Sequence, residues 1–293
     1  MKTFDYFKPS TLVEALDLYE KYGSLAQFLM GGTDLVVNID NNLVAPDYLV
    51  DLKGVPEFRR LELADSHLEI GASVTFSELI ESSAVRDHFP VLWEASRTVA
   101  SNGVRNRATL VGNICSAVPS ADSAPALLVL QALVVVQNKA GARELPIADF
   151  FVGPRRTILV PGDIVTGIRL PLPSGSFGSN YIKMGRYDGE DLAQVGVATF
   201  VNDEGAVRIA FGAVAPKPVR TYDAEEFLKE KVLTEDVLEQ AVPLAMKSIS
   251  PISDVRASKE YRLYISGVLL KRSLRASSSR LQGKGPEYGM SLV

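Results

Sequence analysis

The apolar pattern of this chain changes once, at the stretch Ser174-Gly175-Ser176-Phe177-Gly178-Ser179, and that change limits the folds open to it. Before it, short apolar runs alternate with amphipathic ones. Residues 11–22 set Leu12, Ala15, Leu16 and Tyr19 on one helical face, with Thr11 and Glu14 in capping-box positions. Residues 27–30 and 48–52 read as strands and 35–39 as a helix, giving a small α/β unit over 1–57. A second unit, 58–174, is expected to carry strands at 68–72, 109–114, 133–137 and 164–170, with helices at 76–82 and 90–100. After the break, strands at 181–186, 195–202 and 207–214 precede helices at 223–228, 234–248 and 259–276. Strands followed by helices indicate an α+β unit over 175–276. The remainder, 277–293, is rich in serine, glycine and charge and is expected to be a disordered tail.

Charge and thiol content narrow the chemistry. Thirty-one lysines and arginines against 35 acids give a net charge of −4, too acidic for a general nucleic-acid binder, so any phosphate recognition must be local. The longest apolar stretch, 124–136, is broken by Pro125 and Gln131. It falls short of the ~20 residues that a membrane span needs. The first ten residues lack the unbroken apolar core of a signal peptide, so a cytoplasmic location is expected. One cysteine, Cys115, excludes an internal disulfide, and with only His67 and His88 beside it no metal site or iron–sulfur cluster is expected. A redox role would therefore require an organic cofactor.

Two glycine turns are the candidate binding elements. Gly31-Gly32-Thr33-Asp34 lies between an apolar strand and a helix, where free N–H groups can meet an anion. It is neither a G-x-G-x-x-G nor a Walker sequence, and a plain tight turn is the alternative reading. Thr109-Leu110-Val111-Gly112-Asn113-Ile114 has the same character, the alternative being a strand and hairpin. Two joined phosphates need donors from two sides, and the pair of turns could supply them.

In order along the chain, Met30-Gly31-Gly32-Thr33-Asp34, Val104-Arg105-Asn106-Arg107-Ala108-Thr109-Leu110-Val111-Gly112-Asn113 and Pro119-Ser120-Ala121-Asp122 resemble the FAD-binding domain of molybdenum hydroxylases, the group of xanthine dehydrogenase and aerobic carbon monoxide dehydrogenase. The likeness continues in Tyr181-Ile182-Lys183-Met184-Gly185-Arg186 and in Asp254-Val255-Arg256-Ala257-Ser258-Lys259-Glu260-Tyr261-Arg262, and spans the chain to about residue 276. It implies an α+β protein: a two-part FAD-binding domain of the molybdopterin dehydrogenase (PCMH-like) type, followed by a C-terminal flavoprotein domain. It further implies FAD on this chain, with molybdenum cofactor and [2Fe-2S] clusters on partners. Those partners would be a molybdenum-binding large subunit and an iron–sulfur small subunit, in a dimer of heterotrimers, with NAD or another molecule accepting the electrons.

By the same resemblance Leu29, Met30, Gly31, Gly32, Thr33 and Asp34 wrap the FAD pyrophosphate and ribose. Thr109, Gly112, Asn113 and Ser116 would face its other side, with Asp122 near the adenosine end. Val111 stands where the family often has a further glycine, which puts one close backbone approach in doubt. Cys115 falls where relatives place a residue against the flavin ring, or is a buried filler. Lys183 matches a lysine near the flavin, or is a solvated strand lysine, and Tyr187 is a candidate to stack on the ring. Arg105 and Arg107 face phosphate, or else a partner or solvent; His67 and His88 look isolated and exposed, and Trp93 looks like core. No catalytic residue is assigned. Two other readings stay open: a flavin-free assembly subunit, and a stand-alone flavin oxidase, for which no acid–base pair stands out.

Overall fold

The computed structural model describes residues 3–187 and 189–293. Its first unit is a parallel sheet in the order β1-β3-β2. It comprises β1 (Asp5–Phe7), α1 (Leu12–Tyr22), β2 (Ala26–Leu29), α2 (Leu35–Asp40) and β3 (Tyr48–Asp51). Parallel strands need crossovers, and the two helices supply them. Thr11 caps α1 by accepting from the Glu14 N–H, and Tyr22 stacks on Tyr48 with ring centroids 3.8 Å apart. The strand β1 is an addition to the sequence reading, since three residues are too few to show a period.

The second unit opens with β4 (Leu61–Leu63) and β5 (His67–Gly71). Six short helices follow: α3 (Phe76–Glu81), α4 (Ser83–His88), α5 (Pro90–Arg97), α6 (Asn102–Arg105), α7 (Leu110–Ser116) and α8 (Ser123–Val129). Then come β6 (Leu133–Asn138), β7 (Gly141–Pro146), α9 (Ile147–Phe150), the hairpin β8 (Phe151–Gly153) and β9 (Arg156–Thr157), and β10 (Ile164–Pro171). The antiparallel sheet runs β4-β5-β10-β6-β7. The strand expected at 109–114 is instead the helix α7. Thr109 is extended and caps it, its hydroxyl accepting from the Gly112 N–H at 3.0 Å. Leu110, Val111 and Ile114 are buried together at helical spacing, a pattern that the β-branched character of the run disguises.

The third unit comprises β11 (Phe177–Met184), β12 (Val195–Asn202), β13 (Val207–Gly212), β14 (Val219–Arg220), α10 (Tyr222–Leu228), α11 (Glu235–Met246) and α12 (Lys259–Leu281). Its antiparallel sheet follows chain order. Every residue of β12 is buried, because α12 covers one face and α5 and α8 of the preceding unit cover the other. Alternate side chains divide accordingly. Ala198 and Phe200 join the core that the first two units share, whereas Val195, Val197 and Val201 pack with Leu270 and Leu274. Gly178, which looked like linker, lies in β11 where a Cβ would stand 1.9 Å from the Ser277 carbonyl oxygen, so it serves close helix–strand packing.

The disordered tail expected from 277 is corrected by the structure. Helix α12 continues to Leu281, and the residues after it fold back onto α5. The Arg280 guanidinium donates to both carboxylate oxygens of Glu94 and, at 2.7 Å, to the Ser179 carbonyl, and the Gly289 N–H donates to Glu94 at 2.9 Å. Composition marked the segment as polar without showing that a buried carboxylate awaited it.

Candidate functional site

The first glycine turn leaves the end of β2 and enters α2. Gly32 has φ +81°, a conformation that favours glycine. Among the described residues, the N–H groups of Gly31, Gly32, Thr33 and Asp34 donate to nothing within the chain. Four such adjacent donors make an anion-receptive arc. The arc is held from beneath. Lys53 Nζ donates to the Met30 carbonyl at 3.1 Å and pairs with Asp51 at 2.7 Å, and Asp51 also accepts from the Tyr6 hydroxyl. Leu29 anchors the strand end in a small cluster with Ile39 and Leu49.

The second turn meets the first directly. A Cβ on Gly31 would lie 2.1 Å from the Arg107 carbonyl oxygen, so the two backbones touch where only glycine fits. Ser116, at the end of α7, donates its hydroxyl to Asp34 Oδ2 at 2.5 Å. The shorter of its two contacts joins the turns; the Gly112 carbonyl, at 3.1 Å, is the other acceptor. Thr109 accepts from Gly112 but keeps its own hydroxyl proton. Asn113 accepts from Ser123 at 2.6 Å through Oδ1, and among the described residues its amide N–H groups have no acceptor.

One residue before Ser123, Asp122 carries the polar seam into the third unit. Lys183 Nζ on β11 lies 2.9 Å from Asp122 Oδ2 and donates to the Thr98 carbonyl at 2.8 Å. The Tyr181 hydroxyl donates to Asp122 Oδ1 at 2.8 Å. Burial pushes the Asp122 carboxyl up, while Lys183 and Tyr181 pull it down; burial and the Asp122 charge push the Tyr181 hydroxyl well above its ordinary value. Lys183 is therefore buried and paired, not solvated, and its contact with Asp122 puts the two residues at one place along the site, so the adenosine-end position expected for Asp122 and the flavin position expected for Lys183 do not both hold. The motif at 254–262 is structural: Asp254 pairs with Arg256 and Arg262, and the buried Arg262 reaches the carbonyls of Gln194 at 2.7 Å and Ala213 at 3.0 Å.

Thus the structure brings Gly31, Gly32, Thr33, Asp34, Ser116, Asn113, Asp122 and Lys183 into one seam crossing all three units. Cys115 is half-buried beside it, and loss of solvent pushes its thiol up to about 12. Tyr187 is 70% exposed beneath Arg186 and faces solvent, and Asp188 of the adjoining polar loop lies outside the described residues. Arg105 is held by the carbonyls of Val99 and Ala100 at 2.6 Å each, and the Arg107 side chain is exposed. His67 is half-buried and bonded to Glu69, which corrects its reading as isolated and exposed; His88 is exposed. Trp93 donates to the Ile80 carbonyl at 3.0 Å. Lys53, Ser123 and Tyr181 were missed by sequence reasoning, because an ordinary lysine, serine and tyrosine carry no local signal that the fold brings them to Met30, Asn113 and Asp122. Among the described residues, no cluster suited to a metal ion is present and no helix is long and apolar enough to cross a membrane.

A family model described as the FAD binding domain in molybdopterin dehydrogenase matches residues 2–173, and one described as the CO dehydrogenase flavoprotein C-terminal domain matches 179–277. The chain belongs to the family of FAD-binding medium subunits of xanthine and carbon monoxide dehydrogenases. It is an oxidoreductase component with a FAD-binding domain. It is 32% identical to the xanthine dehydrogenase FAD-binding subunit of Escherichia coli O157:H7, over 95% of this chain and 97% of that one. It is 31% identical to the carbon monoxide dehydrogenase medium chain of Hydrogenophaga pseudoflava, over 94% and 98%. A solved structure of the enzyme from that organism, lacking the Mo-pyranopterin moiety of its cofactor, matches with a TM-score of 0.91 at 31% identity, covering 94% of this chain and 98% of the other. The FAD-binding subunit from its relatives and the mixed helix and sheet architecture agree with the resemblance drawn from the motifs.

Proposed function

We propose that this medium subunit holds FAD along the seam where residues 1–57, 58–174 and 175–276 meet, and relays electrons within a multi-subunit molybdenum hydroxylase. The observation that carries the reading is the arc of four unpartnered N–H groups at Gly31 to Asp34, clasped to the second turn by the Ser116–Asp34 hydrogen bond. This donor set fits a dinucleotide diphosphate: backbone amides on one flank, and the Thr109 hydroxyl and Asn113 amide on the other. Leu29, Met30 and Gly112 shape the backbone around it. Ser116 acts as the clasp.

Bound FAD would supply the redox chemistry, accepting electrons from iron–sulfur clusters of a small subunit and yielding them to NAD or another acceptor. The protein's own groups bind, orient and set the local field. Asp122 and Lys183 form an ion pair at the end of the seam, Cys115 offers a neutral thiol, and Tyr187 is free to cover the ring from solvent. The likeness to a FAD-binding subunit and to medium chains supports partner subunits; in this reading they are a molybdenum-binding large subunit and an iron–sulfur small subunit, in a dimer of heterotrimers, in the cytoplasm. Substrate chemistry would then lie on the large subunit. Purification of the chain with its partners, followed by flavin release on denaturation and metal analysis, tests the reading. Equimolar FAD on this chain is expected. A colourless complex that refuses added FAD would overturn the reading and leave the flavin-free assembly subunit; bleaching by a small molecule without partners would favour the stand-alone oxidase.

A further inference from the structure

The groups around Asp122 show a division of labour that the resemblance did not assign. Its two carboxylate oxygens are each taken by a different donor: Oδ2 by Lys183 Nζ at 2.9 Å and Oδ1 by the Tyr181 hydroxyl at 2.8 Å. Both donors lie on β11, two residues apart, so they project from the same face of the strand. Across the sheet, Gly196 pairs with Lys183, and a Cβ there would stand 2.8 Å from the Tyr181 hydroxyl oxygen. The glycine leaves the space in which that hydroxyl sits. Lys183 is fixed in turn by the Thr98 carbonyl at 2.8 Å.

From this geometry we infer that Tyr181 is a positioning residue for the flavin's electrostatic environment: its hydroxyl holds one Asp122 oxygen and so limits how far that carboxylate cancels the Lys183 charge. The inference rests on the FAD site proposed above, with the flavin ring at its Lys183 end. In a buried cluster, a hydrogen bond to one oxygen draws negative charge away from the other. With the Tyr181 donor gone, Asp122 keeps Lys183 as its one charged partner but loses the dipole on Oδ1, and the cluster presents a more negative field to its surroundings. A more negative field disfavours added electrons. Desolvation holds the Tyr181 hydroxyl in its protonated form, so it remains a donor at any physiological pH.

The test is the midpoint potential of the flavin in the assembled complex, with flavin content measured first. Tyr181→Phe should shift the potential negative, Asp122→Asn should shift it positive, and in the double variant the Tyr181→Phe shift should disappear. A purely structural tyrosine would alter thermal stability and leave the potential where it was. That result would overturn the inference while leaving the FAD reading intact; a wild-type complex without flavin would instead overturn the reading itself. Should Tyr181→Phe not assemble, Gly196→Ala displaces the same hydroxyl and carries the same expectation. An unshifted potential in that variant counts equally against the proposal.

Discussion

Lys183 Nζ lies 2.9 Å from the Asp122 carboxylate although the two residues belong to different units, Asp122 at the start of α8 and Lys183 on β11. Both side chains are more than nine-tenths buried. Removing one partner of such a pair leaves an uncompensated charge, at a cost of about 3–5 kcal/mol. Lys183→Ala should therefore lower the unfolding free energy by that order in a denaturant titration. It should also lower the flavin midpoint potential, because Asp122 is left uncancelled. An unchanged denaturation midpoint would refute the first expectation, and an unchanged potential the second.

Gly31 is the second prediction. Its missing Cβ allows the Arg107 carbonyl to come within the 2.1 Å that a side chain would occupy, so Gly31→Ala must push the two turns apart. The Ser116–Asp34 clasp then opens as well. Purified Gly31→Ala complex should contain little FAD, whereas Ser116→Ala, which loses one partly exposed hydrogen bond worth about 1 kcal/mol, should weaken FAD binding only several-fold. Isothermal titration of the two apoproteins with FAD separates these outcomes.

Glu94 and Arg280 fasten the C-terminal segment. Glu94 accepts from Arg280, Asn180, Gly289 and the Tyr181 N–H. Because it is buried, Glu94→Ala should destabilise by about 3–5 kcal/mol. Truncation after Leu281 removes the Gly289 contact and leaves the Arg280 pair, so it should cost less than Glu94→Ala in the same melting experiment. Equal losses would show that the pair itself contributes nothing.

Cys115 should be chemically quiet. Its thiol, pushed up to about 12, is neutral at pH 7, and the thiolate is the nucleophilic form. Labelling by iodoacetamide in the folded protein should be far slower than in the denatured chain, and Cys115→Ser should leave the flavin potential unchanged if the residue is packing alone. Rapid labelling of folded protein at neutral pH would contradict this.

Acid should act partly through Glu69. Arg60 first, and then Arg169, hold its carboxyl down at about 2, against an ordinary 4.5. A carboxyl depressed in the folded state stabilises the fold above its unfolded value and loses that contribution as pH falls. Stability should thus decline between about 4.5 and about 2, and Glu69→Gln should flatten that part of the profile. An identical acid profile in the variant would count against the assignment.

How much of this was legible beforehand can be judged residue by residue. The helix at Thr11 and the fully buried β12 followed from capping chemistry and apolar runs, because both signals are local. The helix α7 did not, since Leu110, Val111 and Ile114 fit a strand as readily until the Thr109 cap is seen. The glycine turns were found from their residue types, yet the hydrogen bond joining Asp34 to Ser116 spans 82 positions and is a product of the fold alone. The same holds for Tyr181 with Asp122 and for Glu94 with Arg280, pairs that no spacing rule connects.

The complete burial of β12 bears on how such a chain can be made. Half of its side chains are covered by a helix that is synthesised later, and half by helices already released from the ribosome. The leading two-thirds of the polypeptide must accordingly wait with α5 and α8 bare until Ala198 and Phe200 emerge to cover them. Neither portion has a finished exterior without the other, so splitting the gene near codon 174 should yield two sticky fragments that must find each other rather than two independent modules.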